Sequence, residues 1–172
     1  MNEIVKNSIR FVAFILIQIL IFNQIELGLG TQIMVYPLFI ILLPVNMNAS
    51  LQMLLAFCMG ICIDALSNTY GLHSSALVTT AFARPMILQL FAPRDGYDQI
   101  YEPNIYVMGT GWFLRSAGIL FLIHHFWFFL LELFKLNEIL FVLQKTLLSL
   151  PISFVICILI QYLFVRKSKA TP

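Results

Sequence analysis

Charge is what this 172-residue sequence has least of. Only 10% of its residues are Asp, Glu, Lys or Arg, against roughly 25% in an ordinary soluble domain. From Leu27 to Ile63 there is none. Cysteine is almost as scarce. Cys58, Cys62 and Cys157 each sit in an apolar run, which speaks for small buried apolar side chains and against a disulfide framework. Cys58 and Cys62 share a helix face, but that face lacks the further ligands a metal ion needs. There is no His-Glu-x-x-His pair, no serine with histidine and acid on one face, and no acid deep in an apolar run. Gly109 and Gly111 follow no strand and precede no Lys-Ser, so they are not a phosphate loop; with Gly118 they read as close helix packing. These absences exclude a soluble enzyme, a nucleic-acid binder and a disordered chain, and speak against a proton-driven transporter. Neither a cofactor nor a metal is expected.

What is present is apolar: 60% of the residues are hydrophobic, 16 of them Phe. A soluble domain of this length cannot enclose that much apolar surface in one core. At about 20 residues per bilayer-spanning helix, six helices use about 120 residues and leave about 50 for turns and tails. The expected fold is therefore an all-α integral membrane protein, a six-helix transmembrane bundle forming a single domain over 1–172.

The expected spans are about 8–25, 31–44, 49–66, 72–91, 107–131 and 139–165. The first follows Lys6 and Arg10 as a signal peptide would, but no small-residue cleavage site comes after it, so it reads as a retained span. The uncharged stretch is too long for one helix, and Pro44, Asn46, Asn48 and Ser50 divide it. The second span is short and carries Pro37, which suits a tilted, kinked or re-entrant segment. With both termini cytoplasmic, that side collects Lys6, Arg10, Arg94, Arg166, Lys167 and Lys169. The other side keeps Lys135, with Lys145 close by, and the acids Glu26, Asp64, Glu132 and Glu138. That asymmetry obeys the positive-inside rule, whereas an odd number of spans would put one basic tail on the wrong side.

Ionisable groups within spans are the default functional candidates. Asp64 ends the third span, either as a carboxylate reaching water or as a charge that holds the turn to Gly71, Leu72 and His73 or meets a partner. His73 reads as an interfacial anchor, and His124 and His125 as interhelical hydrogen-bonding groups about 100° apart on their helix. Arg84, followed by Pro85, lies about 18 Å along the fourth span; it either snorkels to the headgroups or pairs inside the bundle. Arg115 reads similarly, and the two arginines are candidates for lipid-headgroup contacts. Tyr97, Tyr101, Tyr106 and Trp112 suit an aromatic belt. Arg94, Asp95, Tyr97 and Tyr101, in the longest polar segment, are the candidates for docking a cytoplasmic partner.

Three blocks carry a family resemblance: Gly60-Ile-Cys-Ile-Asp64, then Tyr70-Gly71-Leu72-His73-Ser74-Ser75-Ala76, then Ala81-Phe82-Ala83-Arg84-Pro85. Together with Gln18-Ile-Leu-Ile-Phe-Asn23 and Pro44 after an apolar span, the chain resembles MreD, the rod shape-determining membrane protein family of bacteria. The segment from Arg94 to Asn104 is longer and more acidic than that family's pattern. The resemblance implies a bacterial inner-membrane, multi-pass protein with a fold similar to the six-helix substrate-binding subunits of energy-coupling-factor transporters. It implies a non-enzymatic scaffold of the cell-wall elongation complex, with an MreC-like single-span protein as partner and MreB, RodA and a penicillin-binding protein nearby. Gly60, Asp64, Gly71, His73 and Arg84 carry over as signature positions of structural or interface character, with no catalytic residue among them. The competing expectation is the substrate-binding subunit of a small-molecule transporter of the energy-coupling-factor type. A lipid-modifying enzyme would rest only on Arg84, Arg115, His124 and His125.

Overall fold

The computed structural model describes residues 3–25, 27–94, 96–97 and 102–165. Within them every regular element is helical. The helices are α1 (Glu3–Leu20), α2 (Pro37–Ile41), α3 (Ala49–Ser67), α4 (Leu72–Leu90), α5 (Ile105–Met108), α6 (Thr110–Leu133) and α7 (Ile139–Phe164), with short 3-10 turns at Phe22–Gln24 and Leu136–Glu138. Among the described residues four stretches are long and apolar enough to cross a membrane: Ile4–Gln24, Ala49–Ser67, Thr110–Leu133 and Ile139–Phe164. They give the chain the character of a membrane protein. The 19-residue α4 is as long as α3 but less apolar, because it carries His73, Ser74, Ser75, Thr79, Thr80, Arg84 and Gln89.

Local chemistry sets the boundaries. Asn48 accepts the Ser50 amide at 2.9 Å and starts α3. Asn68 ends it in the left-handed conformation (φ 54°), which asparagine tolerates better than most residues. Gly71 (φ 83°) then turns the chain into α4, a backbone angle at which any side chain would be strained.

The helices lie side by side in the order α1, α3, α4, α6, α7, and α2 packs against α1, α3, α4 and α6. The expected second span takes an unexpected form. Only Pro37–Ile41 is helical, residues 31–35 run without helical structure, and every residue from Ile33 to Leu43 is buried. Pro37, at the first helical position where it costs no hydrogen bond, starts the one helical turn. A non-helical backbone inside an apolar bundle needs partners for its amides, and side chains of neighbouring helices supply them. Ser149 Oγ accepts from the Gln32 amide and Ser153 Oγ from the Met34 amide, both at 3.0 Å. On the opposite side, Gln18 Oε1 accepts from the Val35 amide at 2.9 Å and Gln18 Nε2 donates to the Ile33 carbonyl at 2.8 Å. The alternation of an extended chain thus sends the Gln32 and Met34 amides to α7 and the Ile33 carbonyl and Val35 amide to α1.

Two packing expectations are corrected. Cys58 and Cys62 face outward from α3, and Cys157 alone of the three is buried; the inner face of α3 is taken by Gln52, Ala56, Met59, Gly60 and Ile63. A Cβ added at Gly111 would meet nothing within 4 Å, and one at Gly118 would touch only the Phe154 ring, at 3.8 Å. The tight approach is at Gly60, where a Cβ would lie 2.2 Å from Ser74 Cα, so α3 and α4 cross in backbone contact.

Candidate functional site

Four of the five signature residues meet where α3 turns into α4. Asp64 is buried, and its carboxylate spans the turn. Oδ1 accepts from the His73 amide at 3.0 Å and the Thr69 hydroxyl at 2.6 Å; Oδ2 accepts from the Ser74 amide at 3.0 Å and the Ser74 hydroxyl at 2.7 Å. The first amides of any helix lack intrahelical partners and carry partial positive charge. Asp64 therefore caps α4 from a different helix. Gly60, one turn earlier, lets Ser74 come close enough for this, and Gly71 shapes the turn.

His73 points the other way, into the bundle. Its Nδ1 lies 2.6 Å from Tyr36 Oη, a hydrogen bond that ties α4 to the buried segment just before α2. The Tyr36 ring also stands edge-on to His124, with centroids 5.1 Å apart, and His124 stands edge-on to His125 at 5.5 Å. His125 continues the chain through Nε2, 3.1 Å from Ser153 Oγ. Both α6 histidines are fully buried although they are adjacent, because α6 lies between α4 and α7. His124 has no hydrogen-bond partner on either ring nitrogen among the described residues, so its contacts are those of an aromatic ring.

Beside this cluster opens a cleft of about 780 Å³, lined by Asn23, Gln24, Thr31, Gln32, Asn68 and His73 among others. Its wall carries amides and hydroxyls beside apolar side chains. Asn23 Nδ2 donates to Ser67 Oγ at 2.7 Å, both residues lining the cleft. Near it Lys145 reaches Glu132 at 2.7 Å, and Gln32 donates to the same carboxylate at 3.0 Å.

Arg84 stands apart, 11 residues and about 16 Å further along α4. It is fully buried and does not snorkel. Its Nη1 donates to Gln52 Oε1 at 3.0 Å, and its Nη2 donates to the Ile41 and Leu43 carbonyls. The Ile41 carbonyl ends α2, where a helix concentrates partial negative charge, and Leu43 lies just past the C-cap Leu42. The guanidinium is thus a C-terminal cap for α2 supplied by α4, and Gln52, which also donates to the Met47 carbonyl at 2.6 Å, brings α3 into the same knot.

The proposed docking residues separate. Arg94 is exposed. Tyr97 is tied back, its hydroxyl donating to the Leu88 carbonyl at 2.5 Å and its ring edge-on to Trp112; partial burial raises its phenol above the ordinary value. Asp95 and Tyr101 lie outside the described residues, as do Glu26, Arg166, Lys167 and Lys169. Glu102, which sequence reasoning passed over, is buried and pairs with Lys6 at 2.6 Å and Arg10 at 2.9 Å. No local signal marks it, since the pairing arises only when α1 returns beside the polar segment. Ser149 and Ser153 did leave a signal. With Cys157 and Gln161 they form an i, i+4 series of polar or small residues down an otherwise apolar helix, and all four are buried. No family model, curated protein or solved structure matches the chain.

Proposed function

We propose that the chain is a non-enzymatic membrane scaffold of the MreD type, a rigid bundle that holds an MreC-like single-span protein and wall synthases of the elongation complex. One observation carries this reading. The residues of the resemblance build joints. Gly60, Asp64 and Gly71 lock α3 to α4, His73 and Arg84 lock α4 to the buried segment, and none of them presents a free reactive group.

In this proposal the chain crosses the bacterial inner membrane six times, with both termini cytoplasmic, in an arrangement similar to energy-coupling-factor substrate-binding subunits. α4 and the broken segment supply the two crossings beyond the four apolar helices. That segment runs from Gly30, beside Lys145, to Leu43, beside Arg84. Its extended part gains about 3.3 Å per residue and its helical part about 1.5 Å, together about 24 Å over residues 31–35 and 37–41, close to a hydrocarbon core of about 30 Å. Its burial and side-chain-satisfied amides suit a crossing that never meets lipid. The test is a mild-detergent pull-down of tagged protein from its native host. Recovery of an MreC-like protein or a wall synthase supports the scaffold. Its absence, with cell width unchanged on depletion, refutes it.

The cleft favours a second reading, a small-molecule-binding transporter subunit. A concavity of about 780 Å³ with mixed polar and apolar walls is within the range of ligand pockets. Ligand-stripped protein that gains thermal stability from a vitamin, and that co-purifies with ATPase subunits, would establish it over the scaffold.

A further inference from the structure

We propose that an anionic phospholipid binds on the outside of the bundle, its phosphate on Arg115 and one acyl chain in the apolar groove below. Arg84 and Arg115, paired as headgroup candidates by sequence, have opposite fates. Arg84 is consumed inside the bundle. Arg115 is exposed at the rim of a groove of about 350 Å³ formed by Phe91, Leu114, Gly118, Ile119, Leu122 and Leu150.

Arg115 is held in place without being neutralised. Its Nε donates to the Gly111 carbonyl of its own helix at 3.0 Å, and its guanidinium carbon lies 5.6 Å from the centre of the Phe91 ring. Among the described residues no carboxylate lies within ion-pair distance, and its terminal nitrogens carry no hydrogen bond. A pre-oriented guanidinium fork with free terminal donors matches a phosphate. Apart from Arg115 the groove is wholly apolar. Gly118 lines it without a side chain, and an added Cβ there would make only ordinary contact with Phe154, at 3.8 Å. The lining argues for a slender occupant: it is one strip of α6, from Leu114 to Leu122, between Phe91 and Leu150. The unpaired cation argues for a negative headgroup, because a zwitterionic lipid brings its own cation to the same rim.

Native mass spectrometry of the delipidated full chain tests this, using phosphatidylglycerol, phosphatidylcholine with the same acyl chains, and inorganic phosphate. Phosphatidylglycerol is expected to bind one equivalent at about tenfold lower concentration than phosphatidylcholine, a difference of about 1.4 kcal/mol. Arg115→Gln should abolish that preference and Arg115→Lys should keep part of it. Gly118→Leu, with the charge intact, should weaken both lipids by filling the groove. Helical circular dichroism identifies folded variants. Equal binding of the two lipids to the unaltered protein, a preference that survives Arg115→Gln, or displacement of phosphatidylglycerol by inorganic phosphate would overturn the proposal.

Discussion

Asp64 shows how one carboxylate can be given entirely to architecture. Its two oxygens receive two backbone amides and two hydroxyls, one of each per oxygen, so Asp64→Asn, which replaces one acceptor with a donor, leaves one α4 amide facing an amide nitrogen. The expected loss is about 1–3 kcal/mol, read as a lower thermal midpoint in detergent; an unchanged midpoint would contradict the cap. Glycines divide in the same assay. Gly60→Ala forces a Cβ into the Ser74 backbone and should cost about 1–3 kcal/mol or more by overpacking. Gly111→Ala meets nothing and should gain up to about 1 kcal/mol from helix propensity. Tyr97 supplies a pH dependence. Burial raises its phenol pKa in the folded chain above the unfolded value, so its contribution is complete below the ordinary tyrosine range near pH 10 and is lost as pH rises through the raised folded value. Above pH 10 the thermal midpoint of the unaltered protein should fall more steeply than that of Tyr97→Phe.

Among the elements, the segment from Thr31 to Leu43 depends most on its neighbours. Helices in lipid gain little from hydrophobic burial against one another, so this segment is held by named hydrogen bonds. Ser149→Ala orphans the half-buried Gln32 amide and Ser153→Ala the buried Met34 amide, at about 1–3 kcal/mol, the first at the lower end of that range. Hydrogen exchange should locate the damage, at Gln32 for the first and Met34 for the second; uniform protection in both variants would refute the assignment. This element also shows what was legible in the sequence. Pro37 and the shortness of the run disclosed a weak span, because both are local. That residues 31–35 would be extended was not legible, since their apolar composition suits a helix equally well, and only Gln18, Ser149 and Ser153 from distant helices make the extended form affordable. The turn between α3 and α4 was legible, because Gly71 and Asn68 encode it within a few residues.

Across the whole molecule, α1 is anchored at its start by Glu102. The cations of those pairs are partly exposed but Glu102 is buried, so Glu102→Gln should cost about 1–3 kcal/mol. It should increase hydrogen exchange in the first turns of α1 at low salt and have little effect at high salt, where screening already weakens the pairs. Equal exchange at both salt concentrations would place the anchor elsewhere. The cleft beside His73 and the groove beneath Arg115 are both assembled from three or more separate stretches of chain, and each is therefore a property of the bundle.

By itself the sequence determined the all-helical, membrane-type character, four of its six expected spans as long apolar helices and the glycine- and asparagine-marked turn, because composition and backbone preference act over a few residues at a time. Tertiary structure alone decided that Arg84 faces carbonyls and not headgroups, that Cys58 and Cys62 point outward, that Gly60 and not Gly118 is the tight crossing, and that both α6 histidines are buried. Those outcomes depend on which helix stands opposite. In lipid, where apolar surface is satisfied on either side, the choice falls to the few polar groups and to the one glycine against which a second backbone can pack.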